Sequence, residues 1–117
     1  MSRVVTLATA SILLDEGSAR PGAMVERGLA AVEEAARLKA DLMVLPEEID
    51  YVGLSYEDMA KAGESVPDGP IQARFAELAR NHGINLIVGL REREGDRLFN
   101  VGVVIDRRVQ LNHQRAA

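Results

Sequence analysis

The sequence contains no cysteine and no tryptophan, and aromatic residues make up only 3% of its 117 residues. Without cysteine the chain has no disulfides, no thiolate zinc ligands and no thiol nucleophile of its own. Two histidines are too few for a His-rich metal site. We therefore expect no metal and no cofactor. The scarcity of aromatic rings also disfavours a platform on which nucleic-acid bases would stack.

Positive charge and long apolar runs are also in short supply. Eighteen acidic residues against 14 basic ones give a net charge of -4, which leaves no basic face for a phosphate backbone. The arginine-rich stretch 91–115 is interrupted by acidic residues and predicts a solvated, salt-bridged hairpin. No apolar run approaches the ~20 residues of a membrane span, and the run before Ala8 is too short for a signal peptide. We expect a cytoplasmic protein that binds neither nucleic acid nor membrane.

The first third of the chain has the pattern of a β-α-β unit. Residues 4–12 alternate large and small apolar side chains as a strand does. Apolar positions between 23 and 39 recur every three or four residues, as they do on one face of a helix. A run of four apolar residues, 42–45, is then ended by Pro46 and indicates a short buried strand. A crossover of this length favours neighbouring parallel strands.

The remainder of the chain predicts two helices and three strands. Ser55 has the pattern of a helix N-cap, and Pro70 and Gly83 are suited to begin and end a second helix. The apolar stripe of that second helix includes His82, which we expect to be partly buried. All of this forms one α/β domain, residues 1–117. The predicted elements span residues 56–62, 70–82, 85–90, 98–105 and 109–113.

Two carboxylates, Glu47 and Glu48, directly follow the buried strand. In open α/β sheets the carboxyl ends of strands are where ligands and catalytic groups collect. Adjacent residues leaving a strand point to opposite sides, so we expect one carboxylate to face a site and the other to face solvent. Two surface charges at a strand end remain the simpler alternative on pattern alone. No serine has the setting of a nucleophile elbow, and no glycine-rich loop follows the first strand.

The order and spacing of several segments resemble the nitrilase superfamily, the carbon–nitrogen hydrolases, over nearly the whole chain. The resemblance implies the N-terminal part of a four-layer α-β-β-α sandwich, which is incomplete in these 117 residues. It also implies a hydrolase that acts on a non-peptide C–N bond of a small amide, nitrile or carbamoyl substrate, and a homo-oligomer in the full-length form. The segments that carry the resemblance are 40–47, 66–70, 87–90, 97–100 and 104–106.

In this superfamily the glutamate after the strand-ending proline is the general base, and that role maps onto Glu47 and leaves Glu48 a bystander. Its partners are a lysine that stabilises the oxyanion and a cysteine that attacks the carbon. Here Arg115 stands near the expected lysine, and the cysteine belongs beyond Ala117. Truncation is the simplest explanation, so we expect these 117 residues alone to be inactive. The alternative is a degenerate, non-catalytic half that associates through its open sheet.

Overall fold

A computed structural model describes residues 2–108 and 111–115, without the side chains of 111–114. Helices and strands are mixed along the chain, as expected for the α/β class. The elements in chain order are β1 (Leu7–Thr9), α1 (Ala23–Arg37), β2 (Leu42–Val44), α2 (Tyr56–Lys61), α3 (Pro70–His82), β3 (Asn85–Glu94), β4 (Arg97–Ile105) and β5 (Leu111–Arg115).

The strands form a single mixed sheet in the order β1-β2-β3-β4-β5. β1 pairs with β2 and β2 with β3 in parallel, which confirms the predicted β-α-β unit, whereas β3, β4 and β5 are antiparallel neighbours. The first strand is much shorter than the predicted 4–12. It has β2 as its neighbour, and β2 itself ends before Pro46, so the ladder has only three residue pairs.

One face of the sheet is covered by α1 and α3. Alternate residues of β3 and β4 are buried against these helices, among them Val88 and Val103, together with Val32 from α1 and Phe75 from α3. On the other face the row Val44, Ile87 and Val104 runs across three strands. That second face is open in the described part of the chain, because exposed fractions reach 41% at Val44 and 40% at Val104. This is the uncovered apolar face expected of an incomplete sandwich.

Local signals set the helix ends as predicted. The Ser55 hydroxyl accepts a hydrogen bond from the Asp58 N–H (3.1 Å) at the start of α2. Pro70 begins α3, and Gly83 ends it in the left-handed conformation with a φ of 64°. These three caps depend on residues close together in sequence.

The buried face of α3 differs from the predicted stripe. His82 is exposed, so its predicted burial is wrong, and the residue that is fully buried instead is Gln72. Its side-chain amide donates to the Glu64 carboxylate (2.8 Å) and to the Ser65 carbonyl (2.9 Å). Because these partners replace water for the amide N–H groups, a polar side chain is tolerated in the interior.

The last strand extends past its predicted end at residue 113. Its described part is Leu111–Arg115, and the predicted residues 109 and 110 lie outside the described residues. None of the helices in the described ranges is long and apolar enough to span a membrane.

Candidate functional site

Glu47 lies in a bulge where the chain leaves β2. The Leu45 N–H donates to the Ile87 carbonyl (2.9 Å), and the next of the bonds to β3 runs from the Ile49 N–H to the Gly89 carbonyl (3.1 Å). Between these two bonds the chain advances by four residues while β3 advances by two. The extra residues project from the ladder, as they do in a β-bulge. Glu47 is at the centre of this projection.

Gly89 lies directly beneath the bulge. A Cβ atom at this position would lie 2.5 Å from the Glu47 Cα and 2.5 Å from the Pro46 carbonyl oxygen. Both are backbone atoms and cannot swing aside, so the close approach requires glycine. Gly102, which pairs with Gly89 from β4, has none of the described atoms within 4 Å of such a Cβ. The requirement is therefore specific to the strand position under Glu47.

The Glu47 carboxylate is exposed, and it accepts a hydrogen bond from the Asn100 side-chain amide of β4. It lines a cavity of about 420 Å³, together with Gly89, Gly102 and Arg115 among others. A volume of this size suits a small molecule. The Glu47 carboxylate has lone pairs beyond those used by Asn100 and is therefore able to accept a proton from a group in the cavity.

Glu48 reaches the same side of the sheet as Glu47. Its carboxylate forms an ion pair with Arg91 of β3, and Arg91 lies opposite Asn100 of β4 in the antiparallel ladder. Since opposite residues share one face, both carboxylates contact neighbouring side chains on that face. The prediction that they point to opposite sides is wrong, because alternation holds for extended backbone and Glu48 has a left-handed φ of 53°. Glu48 is also half-buried and ion-paired rather than a free surface charge.

Arg115 lines the cavity, but its guanidinium is bound by acidic side chains of β3. Its Nε lies 2.6 Å from Glu92 and its Nη2 lies 2.6 Å from Glu94. The guanidinium also stacks 3.7 Å from the Phe99 ring centroid. These hydrogen bonds raise the pKa of Arg115 above its ordinary value. Within the described residues no ion pair joins Arg115 to Glu47, and the predicted salt-bridged hairpin is confirmed.

Asp50 is a titratable group that no sequence pattern singles out. Both of its carboxylate oxygens accept the Arg91 backbone N–H, at 3.2 and 3.1 Å. Burial raises the pKa of Asp50 to about 6, and the negative charge of Glu64 adds to the rise. The hydrogen bond from Arg91 opposes this shift only in part.

Sequence patterns signalled some members of this site and missed others. A glycine inside an apolar strand, such as Gly89, indicates close backbone approach. Asn100 lies in one of the segments that carry the resemblance, yet nothing in its sequence setting connects it with Glu47. Among the described side chains, no group of three or more His, Cys, Asp or Glu is arranged to hold a metal ion.

Comparison with known proteins gives consistent matches. The family model described as carbon-nitrogen hydrolase matches residues 5–116. A nitrilase from Pyrococcus abyssi is 32% identical over 76 residues, which cover 63% of this chain and 29% of that protein. A nitrilase from Paraburkholderia phymatum is 29% identical over 116 residues, which cover 89% of this chain and 34% of that protein.

A solved structure shares the fold. The crystal structure of a CN-hydrolase superfamily protein from Xanthomonas campestris has a TM-score of 0.67 and 25% identity. The match covers 82% of this chain and 35% of that one. The chain therefore spans about a third of the length of the relatives that it matches.

Proposed function

The chain belongs to the carbon-nitrogen hydrolase family, and from this premise we propose that Glu47 is the general base of a hydrolase that cleaves non-peptide C–N bonds. The observation that carries the proposal is the presentation of Glu47. Its carboxylate projects from a bulge at the carboxyl end of β2, is oriented by Asn100, and faces a cavity on the open side of the sheet. A general base needs this kind of fixed, accessible carboxylate.

The nucleophile in this proposal is a thiol from outside these 117 residues, since the sequence has no cysteine. Glu47 takes the thiol proton while sulfur bonds to the carbon of a small amide, nitrile or carbamoyl substrate. From an amide, the amine then leaves with that proton and a thioester remains. Glu47 next takes a proton from water as the water oxygen attacks the thioester carbon, and the proton returns to the departing thiolate.

The open face of the sheet supports the same proposal. The groups that complete the site have to approach Glu47 from a side that α1 and α3 do not cover, and the cavity lies on that side. The chain spans about a third of its relatives' length, and in this proposal the thiol and the remaining layers of the sandwich are supplied from outside these residues.

The test is a charge-neutral substitution in the protein expressed from its complete reading frame. We expect Glu47→Gln to lower kcat for amide or nitrile hydrolysis by about 10²–10⁴-fold, the usual contribution of a general base. Glu33→Gln makes the same change on the exposed surface of α1 and is the matched control. Turnover of Glu47→Gln equal to that of the control would contradict the proposal. Residues 1–117 alone should show no turnover, and hydrolysis by them would contradict the external thiol.

A second candidate function is a non-catalytic half that associates through its open sheet. The observation that favours it is Arg115, because a cation bound by Glu92 and Glu94 is not free to follow charge that develops on a substrate. The exposed apolar side chains of the open face, such as Leu7 and Val44, point the same way. Light scattering after size-exclusion chromatography separates the two functions. A stable dimer without turnover supports association, and a well-behaved monomer counts against it.

A further inference from the structure

We propose that Glu48 and Arg91 form a positioning pair that holds the bulge and thereby aims the carboxylate of Glu47. This inference rests on the proposed role of Glu47 as a base. It assigns a purpose to a carboxylate that the sequence pattern left as a bystander. Neither residue of the pair touches the reacting atoms in this proposal.

The backbone at Glu48 is in a conformation that has to be held by its contacts. Its φ of 53° lies in the left-handed region, which non-glycine residues adopt infrequently. Lys39 also has a positive φ, but it follows the end of α1, where such a conformation commonly closes a helix. Glu48 follows no helix and comes directly after Glu47. A change in its backbone would therefore turn the bulge that carries the Glu47 carboxylate.

Arg91 has contacts besides its ion pair with Glu48. Its guanidinium lies 4.6 Å from the centroid of the Tyr51 ring, and the Tyr51 hydroxyl donates to the Met59 carbonyl (2.8 Å). The Arg91 side chain is 22% exposed and that of Glu48 is 33% exposed. The ion pair is thus partly shielded from solvent, and its cationic partner is held between an aromatic ring and the sheet.

Each residue from Glu48 to Tyr51 contacts β3, either at Arg91 or at Gly89. Arg91 contacts three of them, through the ion pair with Glu48, the backbone N–H to Asp50 and the ring of Tyr51. The remaining residue, Ile49, donates to the Gly89 carbonyl. Arg91 is therefore the position through which β3 fixes the chain that follows Glu47.

The pair matters for geometry more than for overall stability. An ion pair with this exposure contributes at most about 1 kcal/mol to folding. Catalysis is more sensitive, because a displacement of roughly 1 Å in a reacting group costs on the order of 10²-fold in rate. Removing the pair should thus impair turnover without unfolding the protein.

Amide hydrogen exchange tests the pair without a measurement of enzymatic activity. In Arg91→Gln and in Glu48→Gln we expect the Ile49 amide to exchange up to about fivefold faster, because the bulge opens locally. The Leu45 amide, bound to the Ile87 carbonyl, is the internal control and should keep its rate. Arg97→Gln is the matched control variant, since Arg97 lies over Phe99 on the same hairpin.

Kinetics of the protein expressed from its complete reading frame provide the second readout. We expect Arg91→Gln to lower kcat by about 10–10²-fold with little change in KM, as befits a displaced base rather than lost substrate binding. Arg91→Lys keeps the charge and should recover part of the loss. Glu48→Ala removes the ion pair and does not ease the left-handed φ, so it should lose kcat as Arg91→Gln does.

The outcomes distinguish this inference from the proposed function. An unchanged Ile49 exchange rate in both charge variants overturns the positioning pair, whatever the activity. Loss of turnover in Glu47→Gln together with full turnover in Arg91→Gln also overturns it, and leaves Glu47 standing as the base. Full kcat in Glu48→Ala would show that the backbone conformation needs no ion pair, and would overturn it as well. Retained turnover in Glu47→Gln overturns the proposed function. It also overturns the positioning pair, because that proposal requires Glu47 to be the base.

Discussion

Gly89→Ala tests the geometry beneath Glu47 most directly. The new Cβ would lie 2.5 Å from the Glu47 Cα and from the Pro46 carbonyl oxygen, whereas ordinary contact begins near 3.4 Å. The bulge must therefore retreat by about 0.9 Å. Overpacking of this kind costs about 1–3 kcal/mol of stability. A shift of that size at a reacting group also lowers kcat on the order of 10²-fold.

Gly102→Ala is the matched control for stability. It makes the same change at the residue that pairs with Gly89, but no atom that the structure describes lies within 4 Å of the added Cβ. There we expect a neutral effect or a gain of up to about 1 kcal/mol, because alanine has less chain entropy to lose on folding. Urea unfolding of both variants gives the comparison. Equal free energies of unfolding, with the Ile49 amide of Gly89→Ala exchanging as in the parent protein, would refute the close approach.

Two further predictions concern Asp50 and the cap of α2. Burial raises the pKa of Asp50 from 3.8 to about 6, so the folded protein binds the proton of this carboxyl group more tightly than the unfolded chain does. The stability that comes from the bound proton is therefore lost as the pH rises from about 4 through about 6. We expect the free energy of unfolding to fall by at most about 3 kcal/mol across this window, and Asp50→Asn to remove the fall; an unaltered pH slope in urea titrations would contradict this. Ser55→Ala should lower the free energy of unfolding by about 1 kcal/mol, because the Asp58 N–H loses its acceptor. Ser55→Thr keeps the acceptor, and equal stability of the two variants would argue against the cap.

Elements whose signals are local are predictable from the amino-acid sequence alone. Ser55, Pro70 and Gly83 act on backbone groups within one helical turn, so their caps were predictable from neighbouring residues. The apolar run that Pro46 ends gave β2 within one residue, since proline removes a ladder donor wherever it stands. Segment order then indicated the family, which the match over residues 5–116 confirms.

Which side chains meet depends on how distant strands pair in three dimensions. Asn100 donates a hydrogen bond to Glu47, which lies 53 residues away in the chain. Arg91 of β3 forms an ion pair with Glu48. No periodicity encodes such distant pairs. Periodicity also assumes regular backbone, and it fails at the bulge, where the left-handed Glu48 brings both carboxylates to one face. Glu47 was a candidate because it follows a strand. The residues that orient its carboxylate, Gly89 and Asn100, belong to β3 and β4, and the chain reaches these strands only after two more helices.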